Sequence, residues 1–260
     1  MRIRLLSDIH LEFYTTPVKL WRYLIKRWQF GDFPLKSEVL ILAGDIGYPF
    51  NNKLEPNANY KDFLVMVRKV WNNVILVSGN HEYYSGKGTL GPEEVDKEIR
   101  RVCNEIGVHF LQKDSITIEG TRYLGCTLWT DINQSAFDSM NDKNIFENDI
   151  TKYQAVHQDH RRWLEQEIPK EIIPTVVITH HLPSFQIVHP RFQAMTAFNT
   201  GFASDLDELI IANPQVKMWC CGHTHERNVQ VVGTTPIVCN PYGYPGEKRV
   251  TKVNWDLEDC

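Results

Sequence analysis

Five short polar clusters, each closing an apolar run, constrain this chain more than any other feature: Asp8 with His10, Gly44-Asp45, Gly79-Asn80-His81-Glu82, Thr179-His180-His181 and Gly222-His223-Thr224-His225. Alternation and β-branched content make the runs strands, over about 2 to 6, 38 to 43, 74 to 78, 175 to 179 and 217 to 221. Several are nearly continuously apolar, as strands buried on both faces of a largely parallel sheet must be. In an open α/β sheet, ligands bind beyond the carboxyl ends of the strands, where loops converge and side chains leave the core. A single Asp or His in such a place usually caps a turn. Five in the same relation to five strands point to one site.

Together the clusters offer two carboxylates, an amide oxygen and several imidazoles. That set suits two divalent metals of intermediate hardness, and a metal pair about 3.5–4 Å apart is a standard device for displacing a group at phosphorus. The amide and the neutral imidazoles bind without cancelling charge, and the lack of thiolate ligands argues against a closed structural zinc site.

The rest of the chain reads as α/β. After Pro92, Val95, Ile99, Val102, Cys103 and Ile106 form a helical stripe that ends at Gly107. Further helices are expected over about 57 to 71 and 151 to 168, and Ser204 with Asp207 resembles the N-cap of another ending near Ala212. Between the third and fourth clusters, Ser115 to Glu119 and Thr121 to Leu128 flank Gly120 as in a hairpin. Strands at Asn228 to Val232, Thr235 to Cys239 and Val250 to Asn254 are expected to join that hairpin in a second sheet packed on the first.

Length favours one domain over residues 1–260. No apolar stretch approaches the roughly 18 to 20 residues that span a bilayer, and the run from Met1 stops at Asp8, short of a signal-peptide core. A cytoplasmic protein with no membrane partner is expected. The six cysteines have no C-x-x-C spacing and read as free thiols, with Cys220-Cys221 packed in the core. A net charge of -4 gives no global attraction to nucleic acid, so an anion must be drawn by a local field.

The order D-x-H, GD, GNH[DE], [GT]H, GHxH resembles the signature of the calcineurin-like metallophosphoesterase superfamily, over residues 8 to 225. The resemblance implies two mixed β-sheets packed as a sandwich and flanked by helices. It implies a first metal on Asp8, His10 and His225, a second on Asn80, His180 and His223, and Asp45 bridging them. The ions would be divalent or of mixed valence, with manganese, iron, zinc or cobalt all fitting the donors. Two such cations against two carboxylates and a bridging hydroxide leave a net positive site for a phosphate. The expected reaction is attack of that hydroxide on phosphorus, with His81, next to a ligand but not one itself, protonating the leaving oxygen. Glu82 is expected to orient a ligand or a neighbouring imidazole from behind, without touching metal. His181 adjoins His180, and only the family pattern selects His180 as the ligand.

Within the superfamily, protein phosphatases extend the second motif as GDxVDRG, where this chain reads Gly44-Asp-Ile-Gly-Tyr-Pro-Phe50. Lipid A pathway hydrolases carry Arg in place of His81, and double-strand-break nucleases add a cap domain for which no segment remains. What is left resembles small bacterial or phage-type members acting on phosphodiesters or phosphomonoesters, with a small phosphate ester or nucleotide as substrate and no obligate protein partner. The alternatives are an inactive binding scaffold of the same fold and a nuclease acting on nucleic acid. The basic, aromatic segment Val18 to Phe33 reads equally as a stacking lip or as an amphipathic helix. His109, His157, His160 and His189 read as surface or locally bonded histidines. Trp129 to Asp131 and Phe192 to Phe202 carry no chemical signature beyond a place to shape the pocket.

Overall fold

In the computed structural model, which describes residues 2–14, 38–51, 54–88, 90–247 and 254–256, the five apolar runs do become strands, but they divide between two sheets. The first sheet has parallel strands β1 (Arg2–Leu6), β2 (Glu38–Ala43), β3 (Asn73–Val77) and β4 (His109–Phe110). The second contains β5 (Asp114–Ile118), β6 (Thr121–Cys126), β7 (Thr175–Thr179), β8 (Val216–Cys221), β9 (Asn228–Val232) and β10 (Thr235–Cys239), in the order β5-β6-β7-β8-β10-β9. In it, β6, β7, β8 and β10 run parallel, while β5 and β9 are antiparallel edges. A last strand, β11 (Asn254–Asp256), returns to the first sheet antiparallel to β1.

Two expectations are corrected here. The fourth and fifth clusters follow β7 and β8, which lie in the second sheet beside the hairpin and not in one sheet with the other three. The last strand pairs at Asn254–Asp256 with the first sheet, not the second; residues 250–253 fall outside the described residues.

Alternation within the runs explains the layering. Ile3, Leu5, Val39, Ile41, Ala43, Ile75 and Val77 of the first sheet meet Tyr123, Val176, Ile178, Met218, Cys220 and Val238 of the second. Their neighbours point the other way: Leu40, Leu42, Val74 and Leu76 pack under α1 (Ala58–Val70) and α2 (Pro92–Ile106), with α3 (Gln134–Ser139) on the same side. Val177, Trp219, Cys221 and Ile237 pack under α4 (Ile150–Glu167), with the short α5 (Thr196–Asn199) and α6 (Asp207–Ile211) beyond. Residues 39–43, 74–77 and 176–178 are thus apolar throughout because both faces of those strands are covered.

The helices start and stop for local reasons. In α2, Glu94 accepts the Gly91 N–H at 3.0 Å, Pro92 stands in the first turn, and Gly107 closes the helix at φ 82. The expected cap on α6 is not made by Ser204. That hydroxyl accepts the Asp131 N–H at 3.3 Å instead, and Asp205 accepts the Asp207 N–H at 3.2 Å. Among the described residues no helix is long and apolar enough to cross a membrane. The segment 18–33 lies outside the described residues.

The two sheets pack tightly against each other at Gly125 in β6. A Cβ there would sit 2.5 Å from Leu111 Cβ and 2.8 Å from Val77 Cγ1 of the facing layer. Gly125→Val should therefore overpack the interface and destabilise the protein by about 3 kcal/mol. Urea unfolding with an unchanged m-value and a midpoint within error of the parent would refute this.

Candidate metal centre

Main-chain bonds draw the five loops to one place. The Asp8 and His10 N–H groups donate to Gly44 O and Asp45 O, each at 3.0 Å, which zips the first loop to the second. Within the second sheet Gly222 N donates to His180 O, and across the sheets His223 N donates to Asp8 Oδ1, both at 2.9 Å. The path is strained: Asp8, His10, Asp45, His223 and His225 all have positive φ, between 52 and 71. Each such non-glycine residue costs about 1–3 kcal/mol and persists only where its surroundings over-determine it, which is typical of functional sites.

Seven donors converge. Asp8, His10, Asp45 and His225 each offer an atom within 4.8 Å of the others, and so do Asp45, His180 and His223; Asp45 belongs to both of these groups, and a third, His10, Glu12 and His81, meets the first at His10. In the first, His10 Nε2 lies 2.9 Å from His225 Nε2 and 3.9 Å from Asp45 Oδ2, and His225 Nε2 lies 3.5 Å from Asp8 Oδ1. In the second, His180 Nε2 lies 3.2 Å from His223 Nδ1, 3.1 Å from Asn80 Oδ1 and 3.3 Å from Asp45 Oδ2. Nitrogens bound to one ion at about 2.0–2.1 Å with near-tetrahedral angles stand roughly 3 to 3.5 Å apart. The donors also leave an atom unanswered: Asp8 Oδ2 is buried with no hydrogen-bond partner. An unpaired buried carboxylate oxygen is expensive, and a cation would relieve it. The donor set fits metal.

The surroundings orient these donors. His180 Nδ1 donates to Ala43 O at 2.9 Å, leaving Nε2 for the centre. The Asn80 amide is turned the same way: its Nδ2 donates to Asp142 Oδ1 at 2.9 Å, and Tyr84 OH donates to the same oxygen, so Oδ1 faces His180. His225 Nδ1 pairs with Glu247 Oε2 at 3.0 Å. No substitution with a Cβ fits at Gly79, where that atom would press on Asp45 Oδ1 and come within 2.5 Å of Asp45 N.

Charge is distributed unevenly. Burial opposes ionisation of Asp45, but His180 beside it, with His81 and His10, holds its carboxyl well below the usual range. Burial likewise opposes the charge of His180, which Asp45 nevertheless lifts to about 10. Burial pushes His223 and His181 well down, and the neighbouring His180 adds to it. His81, disfavoured by burial, is raised by Asp45 and Glu12 to about 9.

Glu82 binds the main chain of the second and third loops. Its Oε2 accepts the Asp45 and Gly79 N–H groups at 3.0 and 2.6 Å, and its Oε1 accepts those of Ile46 and Gly47 at 2.8 and 3.2 Å. It therefore ties the second loop to the third. Burial, then the Asp45 charge, raise it to about 7 against the pull of the Gly79 N–H. Glu82→Ala would strand several buried donors and should cost about 4 kcal/mol or more, roughly a 10 °C fall in Tm. A fall under 3 °C by calorimetry would show that water replaces the carboxylate.

His181 stands behind the centre: buried, its Nδ1 3.3 Å from Thr127 O, its ring 4.2 Å from that of His223, and outside all three donor groups. His157 and His160 are buried, not on the surface, and clamp Leu128, donating to its carbonyl at 3.0 Å and accepting its N–H at 3.1 Å. Cys220 and Cys221 are both buried in the core.

Several residues of the site escaped the sequence reading. Glu12 Oε1 accepts from His10 Nδ1 at 3.0 Å and His81 Nδ1 at 2.9 Å, joining a candidate ligand to the candidate proton donor. The spacing His10-x-Glu12 is the signal that could have found it. Tyr244 was missed as well, its hydroxyl 3.2 Å from His81 Nε2.

The family model for calcineurin-like phosphoesterases matches residues 1–227. The chain belongs to that family. A protein of Acanthamoeba polyphaga mimivirus is 28% identical to this calcineurin-like phosphoesterase over 273 aligned positions, covering 96% of this chain and 94% of its own. Among solved structures, the phosphopantetheinyl hydrolase of Mycobacterium tuberculosis superposes with a TM-score of 0.62 at 18% identity, covering 94% of this chain and 90% of its own, a likeness of fold. The two mixed sheets and outer helices of this calcineurin-like phosphoesterase accord with that superposition.

Proposed function

We propose that the chain hydrolyses a small phosphate ester or nucleotide with two divalent or mixed-valence cations. Asp8, His10 and His225 would hold one, Asn80, His180 and His223 the other, and Asp45 would touch both. The observation that carries this reading is the membership of Asp45 in the first two donor groups. When bound, the ions would neutralise charge on the phosphoryl oxygens and acidify a water as nucleophile.

The remaining work falls to residues beside them. Glu12 accepts from both Nδ1 atoms, which leaves Nε2 of His10 for binding and Nε2 of His81 for proton transfer. His81 lines the same depression as Asp45, Asn80, His223 and His225. Its raised pKa keeps it protonated at neutral pH, ready to donate to a leaving oxygen. Cations on Asp45 would weaken the pull of that carboxylate and bring His81 back toward neutrality, where a proton moves most easily either way.

Protein loaded with manganese should carry two ions per chain by elemental analysis and hydrolyse 4-nitrophenyl phosphate or bis(4-nitrophenyl) phosphate, with loss of both properties after chelation. The ratio of the two rates separates monoesterase from diesterase. One ion per chain, or two ions and no hydrolysis of either ester, would overturn the reading.

A further inference from the structure

We propose that a cavity beside the metal centre receives the apolar ester group of the substrate, so that esters bearing a short alkyl chain of about three or four carbons are the preferred class. The proposal rests on the phosphoesterase reading above. The cavity measures about 90 Å³ and is lined by Val188, Phe192, Met195, Phe198, Phe202 and Thr224. It is built from the turn Pro190–Phe192 and from α5 with the loop after it, the stretch to which the sequence reading gave no chemistry.

Its position joins it to the candidate centre. Phe192, Phe202 and Thr224 form a shared wall: they also line the depression that holds Asp45, Asn80, His81, His223 and His225. The Phe202 ring lies 4.9 Å from the ring of His223 on one side and 5.4 Å from that of Phe198 on the other. A phosphoryl group held by the donors would therefore stand against the wall that the two spaces share, with its ester substituent carried past that wall into the cavity.

The chemistry of the walls selects the substituent. Aromatic and aliphatic side chains dominate, and the one amide in the lining, Asn199, is engaged with Phe192 O at 2.9 Å. A nucleobase would lose water from several polar edge atoms and find little beyond the Thr224 hydroxyl to replace it. Size selects further. A cavity of about 150 Å³ takes the six carbons of benzene, and in proportion the space here takes about three or four carbons. An alkyl chain loses only water that the walls hold poorly.

The test uses the metal-loaded protein and alkylphosphonates, whose single chain has no leaving group and one way to enter. Binding is read by calorimetry for methyl-, ethyl-, propyl-, butyl- and hexylphosphonate. Each methylene that enters should tighten binding up to about fourfold, giving between tenfold and about 60-fold from methyl to butyl, with a plateau from butyl to hexyl. A gain under tenfold from methyl to butyl overturns the proposal, while absence of methylphosphonate binding would instead strike the phosphoesterase reading beneath it. Phe198→Ala, which lengthens the cavity, should move the plateau so that hexyl binds tighter than butyl within that variant. Met195→Trp at the half-exposed rim should flatten the series. A plateau unmoved in the first and a slope unmoved in the second place the chain elsewhere and sink the assignment.

Discussion

Asp45→Asn should lower turnover by on the order of 10³-fold or more and reduce the metal content below two ions per chain, with the fold intact by circular dichroism. The size of the effect follows from where the two carboxylate oxygens point. Oδ1 accepts the His81 main-chain N–H at 2.8 Å, and Oδ2 faces His180 Nε2 at 3.3 Å and His10 Nε2 at 3.9 Å. An asparagine keeps its oxygen on the His81 N–H, so its NH2 takes the place of Oδ2 and aims a donor at both proposed ion positions. It also removes one of the two carboxylates that balance the cations. Elemental analysis beside a steady-state assay decides the matter. Two ions retained at normal turnover would take the bridge out of the mechanism.

The convergence of strand ends on a shared site was legible in the sequence because each cluster interrupts an apolar run whose own length marks the strand. The partition of those strands was not. Val176 and Val177 are both buried, one facing the other sheet and one facing a helix, so the run carries no mark of which sheet it enters. The same silence surrounds isolated polar residues in loops. Asp142 sits in no motif, yet it turns the Asn80 amide, and Glu12 ends no strand, yet it joins His10 to His81. The hydroxyl of Ser204 looked like a helix cap because its sequence neighbours suit one, but a bond from Asp131 in a distant loop claims it. The apolar cavity was hidden for another reason: residues 188–202 form short turns with no period from which a wall could be read.

His81→Gln should produce a loss that depends on the leaving group, about 10²- to 10⁴-fold in kcat for an alkyl phosphate ester and under about tenfold for a 4-nitrophenyl ester. The contrast arises because 4-nitrophenolate departs near neutral pH without a proton, whereas an alkoxide does not. The placement of His81 permits this role. Its Nδ1 is fixed on Glu12 at 2.9 Å, its Nε2 is shared with the Tyr244 hydroxyl at 3.2 Å, and its side chain is 12% exposed within the depression that holds the donors. Glutamine keeps the main-chain bond to Asp45, which any residue at this position can make, so the metal donors should stay in register. The substitution thus removes the acid and leaves the frame. Equal losses on both esters would make His81 a positioning residue for the centre, and full activity on the alkyl ester would remove it from proton transfer altogether.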